Sequence, residues 1–238
     1  MQREPYLIEV VASTVHSCVE AERGGAGRIE LCSALGVAGI TPSSGLLEVV
    51  KRHISIPVYV MIRPREGDFT YSESEIEVMK REIDLLGASG ADGFVFGILN
   101  PDNTIDTELT RQLVAYCGTK PVTFHRAIDC TNNLIESVKE VASCGCERIL
   151  TSGGKQSGPE GRDMILAMHE AAEGKILIMP GGGIKPETFD EIYHPSIREY
   201  HLSGRSPRLS TTPSTLFDMN WAETSSDAIA RVVYRKHG

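Results

Sequence analysis

Eight times along this chain a short run rich in β-branched and aromatic residues gives way to a stretch with helical periodicity. No other feature restricts the fold as much. The runs cover 6–12, 28–32, 57–63, 92–98, 121–126, 147–151, 175–179 and 198–203. Between them, segments such as 72–90 ("SESEIEVMKREIDLLGASG"), 107–118 and 131–145 open with polar or acidic residues and stop at glycine, as helices do. Strands alternating with helices of this length make βαβ units and a parallel sheet. Eight strands in about 200 residues suit a closed (β/α)8 TIM barrel. The competing doubly wound sheet needs a glycine-rich phosphate loop after its first strand. Here that strand runs into "VVASTVHS".

The chain has 238 residues and is expected to form one barrel domain over 1–238. Residues 204–226 are polar, contain proline and read as a long loop, a lid or a mobile segment. Residues 226–236 read as a closing helix. A formal charge of −8, with 24 basic against 32 acidic residues, and no long basic run give no sign of nucleic acid or an anionic membrane as partner. No apolar run reaches the roughly 18 residues of a membrane span, and the N-terminus lacks the apolar region of a secretory signal. A cytoplasmic location is therefore expected, with the six cysteines reduced. Cys144-Gly145-Cys146 is too tight for the usual zinc spacings.

Strand alternation selects the side chains that face the barrel interior. Ile29 and Leu31 suit the outer face, which turns Glu30 and Cys32 inward. By the same rule Glu9 and Val11, Met61 and Arg63, Thr123 and His125, and His201 and Ser203 point inward. Most of these lie near the C-terminal ends of their strands, where barrel enzymes hold their active sites. Two carboxylates, two imidazoles and an arginine are costly to bury together without use. In an enzyme reading, Glu9 or Glu30 is a general base, His125 a general acid, and Asp129 joins them at the rim. Arg63, Arg65 and Arg126 would hold an anion. Ser152, in "LTSGGKQSG", and Gly181, Gly182 and Gly183, in "MPGGGI", would add phosphate contacts near His201 and Ser203. Cys32 and Met61 offer sulfur ligands that suit Cu(I). The bland readings are ion pairing of Glu9 or Glu30 with Arg63, tight turns at the glycines, and plain packing for Cys32 and Met61.

The blocks "GGAGRIELC", "GITPSSGL", "MIRPREGDFTYS", "TFHRAID", "RILTSGG", "IMPGGGI" and "HLS", in this order over about 7–203, resemble the CutC family of copper homeostasis proteins. The resemblance implies a TIM barrel, a cytosolic homo-oligomer (a dimer or tetramer) and Cu(I) as a cofactor bound through cysteine. Where the family pattern reads Glu-Ile-Cys in the first strand, this chain has Glu9-Val10-Val11, so Cys32 is the inward cysteine that remains. Glu9, Glu30, Arg63, His125, Arg126, Asp129 and His201 match the family. Three functions follow as expectations: Cu(I) handling, acid–base chemistry on a small, perhaps phosphorylated, anion, and a non-catalytic oligomeric scaffold.

Overall fold

The computed structural model describes residues 6–208 and 221–235. Eight parallel strands, β1 (Leu7–Ala12), β2 (Arg28–Leu31), β3 (Val58–Met61), β4 (Gly93–Phe96), β5 (Val122–Phe124), β6 (Arg148–Thr151), β7 (Leu177–Pro180) and β8 (Glu199–Leu202), form one sheet. Helices α1 (Val15–Arg23), α2 (Ser44–His53), α3 (Glu73–Ala88), α4 (Thr107–Tyr116), α5 (Leu134–Ser143), α6 (Arg162–Ala171) and α7 (Phe189–Ile192) connect them, and α8 (Ser226–Val233) follows. The strand order is β7-β6-β5-β4-β3-β2-β1-β8. Pairing of β8 with β1 curls the sheet into the (β/α)8 barrel. At the remaining seam β7 and β8 lie against each other without a ladder among the described residues. Pro180, at the end of β7, has no N–H to give.

The helix starts follow local chemistry. Ser72 and Glu75 cap α3 reciprocally, and Thr14, Ser43, Asp106 and Asn133 each accept a backbone N–H at a helix start. No helix among the described residues is long and apolar enough to cross a membrane.

The two faces of the sheet separate as the alternation predicts. Ile29, Leu31, Val58, Val60, Phe94, Phe96, Val122 and Phe124 pack outward into one core with the helices. Cys32, Tyr59, Met61 and Val95 form a second, small cluster inside the barrel. Beneath it the interior is ionic. Arg28 donates to Glu9 Oε2 and Glu199 Oε2, both at 2.5 Å. Arg148 donates to Glu199 Oε2 at 2.9 Å and to Glu147 Oε1 at 2.6 Å. The Tyr59 ring stacks under both guanidiniums, at 4.9 and 5.0 Å.

The 204–226 segment departs from expectation. Its ends are strands, β9 (Arg205–Arg208) and β10 (Trp221–Thr224), paired antiparallel from Arg205 opposite Thr224 to Arg208 opposite Trp221. The Ser225 N–H closes on the Gly204 carbonyl, and the Thr224 N–H donates to Ser17 Oγ of α1. Pro207 and the two arginines disguise β9, because proline and charge are rare in strands and tolerated at an edge. Residues 209–220, the middle of the expected lid, lie outside the described residues, as does the end of the 226–236 helix after Arg235.

Arg28→Leu should expose how much the fold depends on the ionic floor. Glu9 and Glu199 would stay buried without their shared cation, at a cost of about 3–5 kcal/mol in urea denaturation. A loss under about 1 kcal/mol would mean that Arg148 and His201 suffice to neutralise the interior.

Candidate functional site

A cavity of about 510 Å³ opens at the C-terminal ends of the strands. Its wall on the β2, β3 and β5 side is built from Glu30, Met61, Arg63 and His125.

His125 ends β5, and the chain then tightens into a 3-10 turn, Arg126–Cys130. The turn explains the ring's orientation. His125 Nδ1 accepts the Ala127 N–H at 3.2 Å, so the proton of the neutral ring sits on Nε2. Gly97, just past the end of β4, makes room, since a Cβ there would lie 2.5 Å from Nδ1. Burial, aided by the nearby Arg63 charge, lowers the pKa to about 3. His125 is therefore a neutral N–H donor at physiological pH and not the imidazolium acid expected from the sequence. Its Nε2 is buried and has no hydrogen-bond partner among the described residues.

Arg63 lies just beyond β3 and is 4% exposed. Backbone carbonyls hold it: Nη1 donates to Val37 and Gly39, and Nη2 to Gly67, each at 2.8 Å. The Phe69 ring faces both Arg63, at 5.1 Å, and His125, at 4.9 Å. No carboxylate pairs with Arg63 among the described residues, and its side-chain neighbour besides Phe69 is the neutral Tyr71 hydroxyl. The expected pairing of Glu9 or Glu30 with Arg63 does not form. Arg28 takes Glu9 instead.

Glu30, Glu9 and His201 form a chain across the barrel, because the strand pairing sets Glu9 opposite His201. His201 Nδ1 lies 2.8 Å from Glu9 Oε1 and its Nε2 lies 3.7 Å from Glu30 Oε2. Burial alone would raise the Glu9 pKa, but Arg28 and His201 outweigh it and hold the group well below the usual carboxylate range. Burial would lower the His201 pKa, and the two carboxylates raise it instead. Among the described residues no arginine or lysine pairs with Glu30, whose nearest basic group is His201. Burial, joined by the charge on Glu9, raises the Glu30 pKa to about 7 against the opposing pull of His201 and Arg28. Its Oε1 is buried and has no hydrogen-bond partner among the described residues.

Asp129 and Ser152 serve the site indirectly. Asp129 accepts from Arg126 Nε, Thr151 Oγ1, the Ser152 N–H and hydroxyl, and the Gly154 N–H, at 2.5–3.1 Å. Its acceptor sites are filled, so it anchors Arg126 rather than reacting as the expected catalytic carboxylate. Ser152 Oγ accepts from Arg126 Nη2 at 2.6 Å. Both residues lock the loop after β6, where a Cβ on Gly161 would lie 1.8 Å from the Ser152 carbonyl oxygen.

Arg126, Gly182, Gly183, His201 and Ser203 line the cavity as expected. Gly181 is a packing residue: a Cβ there would lie 2.4 Å from Leu150 Cδ1 and 3.2 Å from His201 Cβ. Arg65 lies outside the cavity lining. It bonds Glu75, Asp68 Oδ1 at 2.9 Å and the Thr70 carbonyl at 2.7 Å, which ties its loop to the capped start of α3.

Cys32 and Met61 do lie together. A Cβ on Gly39 would sit 3.2 Å from Cys32 Sγ and 3.5 Å from Met61 Cε. Yet Cys32 is fully buried among Tyr59, Met61 and Val95, and burial, with Glu30 adding to it, pushes its thiol far above the ordinary range. Among the described residues no three His, Cys, Asp or Glu side chains converge on one point as metal ligands. The soft donors that meet here are two, Cys32 and Met61.

Sequence reasoning passed over Arg28, which holds Glu9, as well as Phe69 and Arg205. Arg28 was findable: it shares the inward parity of Glu30 on β2.

Together these features define a (β/α)8 barrel with a partly buried, polar pocket at its C-terminal mouth. The family model for the CutC family matches residues 6–206, and the chain belongs to that family. It is 50% identical over 204 residues to the copper homeostasis protein cutC homologs of Mus musculus and Homo sapiens, covering 85% of this chain and 75% of each relative. The crystal structure of the putative copper homeostasis protein CutC from Streptococcus agalactiae superposes with a TM-score of 0.78 at 32% identity, covering 82% of this chain and 97% of that one. A phosphonopyruvate hydrolase barrel shares the fold alone, with a TM-score of 0.60 at 15% identity, over 83% of this chain and 75% of that one.

The Glu30 pKa of about 7 lies above the ordinary 4.5, so the folded state holds an extra proton between these values. Glu30 thus lowers stability as pH rises from 4.5 to 7. Glu30→Gln should gain on wild type across that window in denaturation midpoints and hold a constant margin above it. Parallel curves would show that Glu30 titrates as an ordinary carboxylate.

Proposed function

We propose that the mouth pocket is the site of an acid–base enzyme acting on a small organic anion. One observation carries this reading. Among the described residues Glu30 Oε1 and His125 Nε2 are buried without a hydrogen-bond partner, and both residues line the same cavity as Arg63, which has no carboxylate partner there. Each such atom costs on the order of 1–3 kcal/mol when left unsatisfied. A ligand carrying a carboxylate would accept from Arg63 and His125 and offer a proton to Glu30.

The roles follow from the electrostatics. Arg63, without a carboxylate of its own, supplies the charge for the anion. His125 stays neutral and donates from Nε2 to an oxygen on which charge develops, as an electrophile that need not itself ionise. Glu30, with a pKa near neutrality, is matched to take up and return a proton. His201, whose pKa the two carboxylates raise, stands 3.7 Å from Glu30 Oε2 and steadies the Glu30 anion when protonated. Phe69 closes one wall against water.

Glycolate tests the reading by calorimetry. Arg63→Gln should weaken binding by about tenfold or more, the worth of one charge-assisted hydrogen bond, while the melting transition stays cooperative. Wild-type affinity should fall as pH rises through about 7 and Glu30 becomes anionic, and Glu30→Gln should flatten that fall. If wild type binds no small carboxylate at any pH, the reading fails.

Copper binding by this chain is the second reading, favoured by the meeting of Cys32 and Met61 beside Gly39. Cu(I) titration of reduced protein against a chelator separates the two. Weak binding, unchanged in Cys32→Ser, is the expected result. Sub-nanomolar binding, at roughly −12 kcal/mol or beyond and lost in the variant, would return the function to soft-metal capture.

A further inference from the structure

The opposite side of the same cavity, between the β7 and β8 loops, is built for a second anion. Gly182, Gly183 and Ile184 line it, and their three successive N–H groups donate to no acceptor among the described residues. Gly182 and Gly183 both adopt positive φ, 80° and 67°, which gives the loop a path that side-chain-bearing residues rarely follow. Ser203 and Arg205 line the cavity from the end of β8 and the start of β9. Among the described residues Arg205 donates only from Nε, to the Ala222 carbonyl at 3.2 Å, and pairs with no carboxylate. Arg126 approaches from below: a Cβ on Gly182 would lie 3.1 Å from its Nη1, the one nitrogen that Asp129, Ser152 and Lys155 leave free.

The neighbouring loop shows what such a run of amides does when filled. After β6, the N–H groups of Ser152 and Gly154 close on the carboxylate of Asp129. The protein supplies that loop with an anion of its own, whereas among the described residues none reaches the β7 loop.

We infer that the pocket takes a phosphorylated small acid, with its carboxylate at Arg63 and His125 and its phosphoryl group at Gly182–Ile184, Ser203 and Arg205. The inference rests on the organic-anion reading above and adds the second anionic group. Three amides, a hydroxyl and a guanidinium exceed what the two oxygens of a carboxylate can use. They suit the three terminal oxygens and higher charge of a phosphoryl group. Backbone amides from the loops after the seventh and eighth strands are a recurrent phosphate seat in barrels of this type.

Phosphoglycolate, malonate and glycolate, compared by calorimetry in a phosphate-free buffer, test this. Wild type should bind phosphoglycolate at least about tenfold more tightly than either of the others. Arg205→Gln and Ser203→Ala, both at the rim, should each lower phosphoglycolate affinity and leave the glycolate constant within error. The inference is overturned if phosphoglycolate and glycolate bind equally, if malonate matches phosphoglycolate, or if neither variant discriminates between them. Glycolate binding that still depends on Arg63 would then leave the organic-anion reading standing. Failure of all three ligands removes both.

Discussion

The charge on Glu9 is the constraint around which the rest is arranged. It is fully buried at the junction of β1, β2 and β8, where an isolated carboxylate would be prohibitive. Arg28 below and His201 above keep it ionised. Each of those groups is then bound to a further one: Arg28 to Glu199 and through it to Arg148, His201 to Glu30. The interior thereby divides into a neutralised floor, in which every charge has a close partner, and a polarised mouth, in which Glu30 is left short of a cation and Arg63 short of an anion.

That division separates the arginines by role. Arg28 and Arg148 are spent on structure. Arg65 is spent on a loop, through Glu75 and Asp68. Arg63 is buried as deeply as Arg28 but rests on neutral carbonyls, which orient a guanidinium without cancelling its charge. An arginine held in that way presents a fixed positive field to the cavity with little reorganisation when an anion arrives. His125 complements it by staying neutral, so the two donors do not repel.

Much of this was legible from strand parity. Glu30, Arg63, His125, His201 and Met61 all face inward as alternation requires, and the mouth residues gather at one end. Partner identity was not legible. Glu9 and His201 stand 192 positions apart and meet only because β8 closes on β1. Arg28 reaches Glu199 by the same closure. Asp129 looked like a rim carboxylate, but Thr151 at the end of β6 and Ser152 and Gly154 on the loop after it consume it, and nothing in "TSGG" announces which anion its amides will bind. The β9–β10 ribbon escaped for a related reason: its two strands carry no apolar alternation and are recognised only by each other.

The seam between β7 and β8 has a mechanical consequence. Everywhere else the width of the barrel is fixed by ladders of backbone hydrogen bonds, whose loss is costly and whose register moves in whole residues. Here Pro180 and the glycines leave spacing to side-chain contact, with Leu150 and His201 packed against Gly181. Such contacts yield by fractions of an ångström. The barrel is stiff around most of its circumference and compliant along one line, and that line runs to the edge of the pocket where the β7 and β8 loops face each other. The mouth can adjust its bore there without a single ladder bond being broken.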